Sequence, residues 1–124
     1  MNSWSDRGAT VPFNDIELQR IKKIVGGFCE EKIPDHLRSQ IKVFYEIRGY
    51  DVKIIESRPN FMRNYEWTET QIARLKYDPD KLEWQLYWMR ASGRWQRYAE
   101  LKTTNRLQSL IDEIEKDQYR VFWG

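Results

Sequence analysis

The side chains whose types best suit chemistry are Cys29, the only cysteine, His36, the only histidine, and a set of glutamates at 56, 66 and 69. A thiol nucleophile needs a base within reach, and general acid–base work needs two titratable groups converging on one point. Cys29 lies in a helical pattern and reads as a small inert hydrophobe. His36 follows Pro34-Asp35 in a polar turn and reads as a solvated or capping side chain. One Cys and one His fall short of a zinc set, and nothing in the spacing of Glu56, Glu66 and Glu69 brings them together. A phosphate-binding glycine loop, a serine elbow and a paired-histidine motif are missing from the sequence. No cofactor and no metal are therefore expected, and the chain reads as non-catalytic.

The second kind of chemistry is recognition. Residues 84–99, WQLYWMRASGRWQRYA, hold five aromatics and three arginines with no Asp or Glu. Rings interleaved with guanidinium groups suit single-stranded nucleic acid, where bases stack and phosphates pair with Arg. The overall balance opposes that use, because 21 basic against 19 acidic residues leave a formal charge of +2. Packing of Arg90 and Arg97 on Trp95 and Trp88 within the chain accounts for the same pattern without a ligand.

These residues must be placed by a single domain, since 124 residues suit one core and eighteen aromatics, six of them Trp, supply large buried areas. A lone cysteine excludes an internal disulfide, and the N-terminus has no apolar run suited to a signal peptide or membrane span. A cytoplasmic protein without membrane attachment is expected. Residues 1–13 lack periodicity and read as a mobile tail, with residues 14–124 as the domain, although Trp4 and Phe13 are apolar enough to dock.

Asn14 and Glu17 form a capping-box pattern, and Leu18, Ile21, Ile24, Val25 and Phe28 fall on one stripe, so a helix is predicted from Asn14 to about Lys32. Gly26-Gly27 is its weak point, at about 1 kcal/mol per glycine relative to Ala. The middle of the chain alternates with period two. A two-residue turn at Gly49-Tyr50 pairs Ile47 with Val52 and Tyr45 with Ile54, and sets Arg48 against Asp51 and Glu46 against Lys53. A turn at residues 78–81 pairs Tyr77 with Leu82, Leu75 with Trp84 and Ala73 with Leu86. A turn at Ser92-Gly93 pairs Trp88 with Arg97, Arg90 with Trp95 and Tyr87 with Tyr98. A second helix starts near Asn105 with Leu107, Leu110, Ile111 and Ile114, and residues 119–123 suggest a last strand. The predicted fold class is α+β, with one antiparallel sheet of five to six strands packed against an N-terminal and a C-terminal helix.

In these registers the sheet's second face is more than a charged surface. Phe44, Ile55, Ile72, Tyr87 and Tyr98 point there among basic residues, and such rimmed apolar strips mark interfaces. They are the candidate interface, for a homodimer or a protein partner. Arg74 and Arg94 are the candidate anion-binding pair of the alternative reading, a nucleic-acid or anion module. The connection 58–71 carries Phe61, Tyr65 and Trp67 and reads as a long loop pinned by its aromatics across one end of the sheet.

The segments CEEKIPDHLRSQ (29–40), IRGYDVKIIESRP (47–59), EWT (66–68), ARLKY (73–77), WQLYWMRASGRWQRY (84–98) and the terminal FWG together resemble an uncharacterised bacterial family, domain of unknown function 3024. The resemblance runs from about residue 15 to the C-terminus. It implies no activity, cofactor or catalytic residue. The chain departs from that pattern in Gly26-Gly27 and in a longer tail before Phe13.

Overall fold

The structure, a computed structural model, describes residues 12–124. Alternating residues around tight turns build five antiparallel strands, β1 (Lys42–Arg48), β2 (Asp51–Asn60), β3 (Glu66–Asp78), β4 (Glu83–Met89) and β5 (Trp95–Arg97), in the order β1-β2-β3-β4-β5. The period-two pattern sends Val52, Ile54, Ala73, Leu75, Trp84 and Leu86 to one face. There they meet Val25, Leu110 and Ile114 from the two ends of the chain in one core. Helices cover this face and leave the other bare among the described residues. The α+β architecture follows the sequence pattern, with five strands.

The N-terminal helix starts where the capping box places it: the Glu17 amide donates to Asn14 Oδ1 at 2.8 Å, and the Asn14 amide to Glu17 Oε1 at 2.9 Å. It runs as α1 (Asp15–Ile21), a π-helical turn (Lys22–Gly26) and α2 (Gly27–Lys32) without a break. The π turn absorbs one extra residue, as such bulges do. Gly26 packs closely, since a Cβ there would lie 3.2 Å from Tyr45 Cε1 on β1 and the ring would have to yield by a few tenths of an ångström, whereas a Cβ on Gly27 would meet nothing within 4 Å. Phe13 is 4% exposed and stacks at 5.8 Å on Trp84, so the last residue of the expected tail belongs to the core. The rest of that tail, residues 1–11 with Trp4, lies outside the described residues.

The three turns test the predicted registers differently. Gly49, at φ 57°, makes the two-residue turn, and β1 pairs with β2 as the charges and apolar residues demand, Ile47 with Val52 and Arg48 with Asp51. The second turn is longer: Asp78 Oδ1 accepts from the amides of Asp80 and Lys81, and Leu82 turns left-handed at φ 55°. Tyr77 therefore pairs with Trp84, Leu75 with Leu86 and Ala73 with Trp88, two residues away from expectation but on the same faces. The third turn encloses three residues, because the Arg90 amide donates to the Arg94 carbonyl and Gly93 sits at φ 86°. The resulting register pairs Tyr87 with Arg97 and Met89 with Trp95. A one-residue slip reverses every side chain.

Connection 58–71 is not a loop. β2 and β3 continue as a ladder to Asn60 and Glu66, closed by a short 3₁₀ turn (Phe61–Arg63) and two left-handed residues, Asn64 and Tyr65. A bulge opposite the Ile54/Ile55 step leaves Ile72 without a partner. At the other end, α3 (Leu107–Lys116) stops at Asp117, which is left-handed at φ 41°. Its carboxylate accepts from the amides of Val121, Phe122 and Trp123 at 2.8 to 3.1 Å. That clasp folds residues 119–123 into irregular turns in place of the predicted strand.

Candidate interaction face

The helix-free face receives Phe44 from β1, Ile55 from β2 and Tyr87 from β4, three of the five residues expected there. Phe44 and Ile55 are directly opposite one another, and Ile55 is only 2% exposed although it stands outside the core cluster. Ile72 and Tyr98 are corrections. Ile72 is the unpaired bulge residue, and it joins the core. Tyr98 follows the odd-numbered turn onto the helix side, 1% exposed, with its hydroxyl donating to Glu113 Oε1 at 3.3 Å. Burial, followed by the Glu113 carboxylate, pushes its phenol up to about 12.

The same register brings Trp95 and Met89 to the free face, which sequence reasoning missed. The signal available was the Arg90–Arg94 spacing around Gly93, which suits a three-residue loop with a left-handed glycine. Arg74 lies here too, opposite Tyr87 and Lys53. Its guanidinium donates to Asp51 Oδ2 at 2.9 Å and stands 5.5 Å from the Tyr87 ring centre. An arginine so engaged is a structural partner of the strip. Arg94 is exposed in the β4–β5 turn, so the two arginines offered as an anion site belong to separate places. Asp51 Oδ1, Gln71 Oε1 and Arg74 Nε, all on this strip, are buried without a hydrogen-bond partner.

Beyond the bulge the β2–β3 arm carries a second apolar group. Phe61, Met62 and Tyr65 at its tip are 72%, 80% and 71% exposed, and Trp67, on the free face, is 44% exposed. These aromatics do not pin the segment across the sheet. Trp67 is held by Lys42, whose Nζ lies 4.7 Å from the ring centre. The expected stacking of Arg90 and Arg97 on Trp95 and Trp88 does not appear among the cation–π contacts of the described residues, which use Lys32, Lys42 and Arg74.

The chemistry-bearing side chains are dispersed. Cys29 is buried, and burial with the Glu30 charge pushes its thiol up to about 12, so it stays protonated. His36 is exposed in a 3₁₀ turn (Asp35–Leu37). Glu56 pairs with Arg58 at 3.1 Å, while Glu66 stands opposite Asn60 and Glu69 opposite Ser57. Among the described residues no group of three His, Cys, Asp or Glu side chains is placed to hold a metal, and no helix is long and apolar enough to cross a membrane.

Compared with known proteins, residues 13–124 match the family model described as Domain of unknown function (DUF3024). No curated protein and no solved structure matches the chain.

Proposed function

The chain belongs to this family of unknown function, and we propose from its own geometry that it is a non-catalytic interaction domain that binds a protein partner through the helix-free sheet face and the adjoining β2–β3 arm. The observation that carries the reading is the arm: four large apolar side chains, Phe61, Met62, Tyr65 and Trp67, stand in water next to a sheet face that no helix covers among the described residues. Leaving such area exposed forfeits the hydrophobic stabilisation that burial supplies, and contiguous patches of this kind characterise binding surfaces. Protein is favoured over nucleic acid because Arg74 is already neutralised by Asp51. The single buried thiol fits a cytoplasmic setting.

The test is site-specific photo-crosslinking in cells, with benzoylphenylalanine replacing Tyr87, Tyr65 or, as a control on the helical side, Lys116. One common protein adduct is expected from the Tyr87 and Tyr65 probes, lost on Trp67→Ala and absent from the Lys116 probe. Adducts no different from the control, or salt-sensitive capture of an oligonucleotide in place of protein, overturn the proposal.

A further inference from the structure

The sheet has two margins, and they are finished differently. On one side β5 is three residues long, and the chain beyond it returns to bridge Trp84 with Thr104, the Trp84 amide donating at 2.7 Å. On the other side β1 is seven residues long, and among the described residues no strand lies outside it. The direction of its backbone groups follows from hydrogen bonding on the page. The Tyr77 amide donates to the Tyr50 carbonyl, so Val52 and Ile54 bond toward β3, while Asp51, Lys53 and Ile55 bond toward β1. In β1, therefore, residues 44, 46 and 48 face β2, and the N–H and C=O groups of Val43, Tyr45 and Ile47 point outward. Unpaired edges of this length are templates for another strand.

Beside that edge runs a groove of about 570 Å³ between β1 and the N-terminal helix, bordered by Lys22, Lys23, Gly26, Glu30, Val43 and Tyr45. Gly27 also borders it, and a side chain there would meet nothing, so the monomer gives no packing reason for this helix-destabilising residue. We infer that the open edge of β1 pairs antiparallel with β1 of a second copy of this chain, on a two-fold axis at Phe44, joining two sheets into one of ten strands.

Charge selects both the occupant and the register. With the axis at Phe44, Lys42 opposes the partner's Glu46, Phe44 opposes itself, and Val43 and Tyr45 exchange backbone hydrogen bonds across the seam. Moving the axis to Tyr45 sets Lys42 against Arg48, and moving it to Val43 sets Phe44 against Lys42 and leaves Glu46 without a countercharge. The helix repeats the logic. It runs opposite to β1, with Glu30 near Lys42 and Val43 and Gly26 against Tyr45. The same axis exchanges the levels of Val43 and Tyr45, so it places Glu30 across from the bare Gly26-Gly27 backbone of the second copy, within about one turn of that copy's Lys22 and Lys23. One rotation thus satisfies strand and helix together, as an isologous interface requires. This edge borders the free face, to which Lys42, Phe44 and Glu46 contribute their side chains, and pairing would double the length of that face.

Sedimentation of the full chain at about 100 μM, well above a micromolar dissociation constant, is expected to show a dimer. Glu46→Lys or Lys42→Glu alone should raise the dissociation constant about tenfold or more by opposing like charges twice per dimer. The double variant Lys42→Glu/Glu46→Lys should restore the dimer. Phe44→Cys tests the axis independently of charge: opposed residues in a non-hydrogen-bonded pair lie close enough to bridge, so oxidation should give a covalent dimer, and Lys42→Cys should not. A monomeric wild type, single reversals without effect, no rescue in the double variant, or failure of Phe44→Cys to cross-link overturns the inference. Crosslinking through Tyr87 and Tyr65 is unaffected by such a result, so the two proposals fail separately.

Discussion

Two faces of one sheet, built from alternate residues of the same strands, divide the labour of this molecule. On β3, Leu75 sits under the helices with no exposed surface, and Arg74 beside it lies on the open face with a quarter of its side chain exposed, braced by Asp51 and Tyr87. On β4, Leu86 and Tyr87 divide in the same way. The covered face is apolar and interchangeable in kind, since any well-packed hydrophobe of the right volume serves a core. The open face mixes rings, methyl groups and paired charges, and each of its contacts depends on particular geometry. The faces therefore differ in what a substitution does: on one it changes stability, on the other it changes recognition.

That contrast is broken most forcefully at Leu75. Leu75→Ala should lower the unfolding free energy by about 2–5 kcal/mol in urea, while the adjacent Arg74→Ala should cost about 1 kcal/mol or less. Equal losses at the two positions would contradict the division. A smaller effect comes from pH. Tyr98 and Cys29, both buried with the helices, have folded-state values raised to about 12 from 10.0 and 9.0. For a raised value the stabilisation is complete below the unfolded pKa and is lost as pH climbs toward the folded one. Stability should thus fall from pH 9 to 12, by at most about 1.4 kcal/mol per pH unit for each group. Urea titrations of Tyr98→Phe should show a shallower fall above pH 10; an unchanged slope would place Tyr98 in solvent. The smallest change belongs to Tyr87→Ser, expected to shift stability by about 0.5 kcal/mol while removing the common adduct seen from the Tyr65 probe. A large loss of stability there would turn the open face into a second core.

The sequence made the covered face legible because burial leaves a periodic trace that survives errors of two residues. The hairpin at Gly49 was readable outright, since a two-residue turn and opposed charges fix its register together. At residues 78–82 the Asp78 cap and left-handed Leu82 lengthen the turn, a feature that composition does not announce. The open face was harder to read. Its membership depends on loop parity, so one extra turn residue near Gly93 exchanged Tyr98 for Trp95, and one bulge residue moved Ile72 into the core. The exposed arm read as a pinned loop because aromatics in a connection resemble packing anchors until the strands that carry them are known.

The bulge at Ile72 has a further consequence for how this chain tolerates insertion and deletion. Alternation along β3 restarts there: Ala73, Leu75 and Tyr77 face the helices, and on the other side of the bulge Gln71, Glu69 and Trp67 face away from them. Removing that single residue would leave Ala73 and Gln71 adjacent and still opposite Ile54 and Ile55, so the ladder would become regular, Trp67, Glu69 and Gln71 would keep facing away from the helices, and the core would lose the Ile72 side chain. The arm can therefore lose its bulge residue, or change length by matched pairs of residues, without altering its facing, whereas a one-residue change between Trp67 and Gln71 that no bulge takes up turns over the residues beyond it.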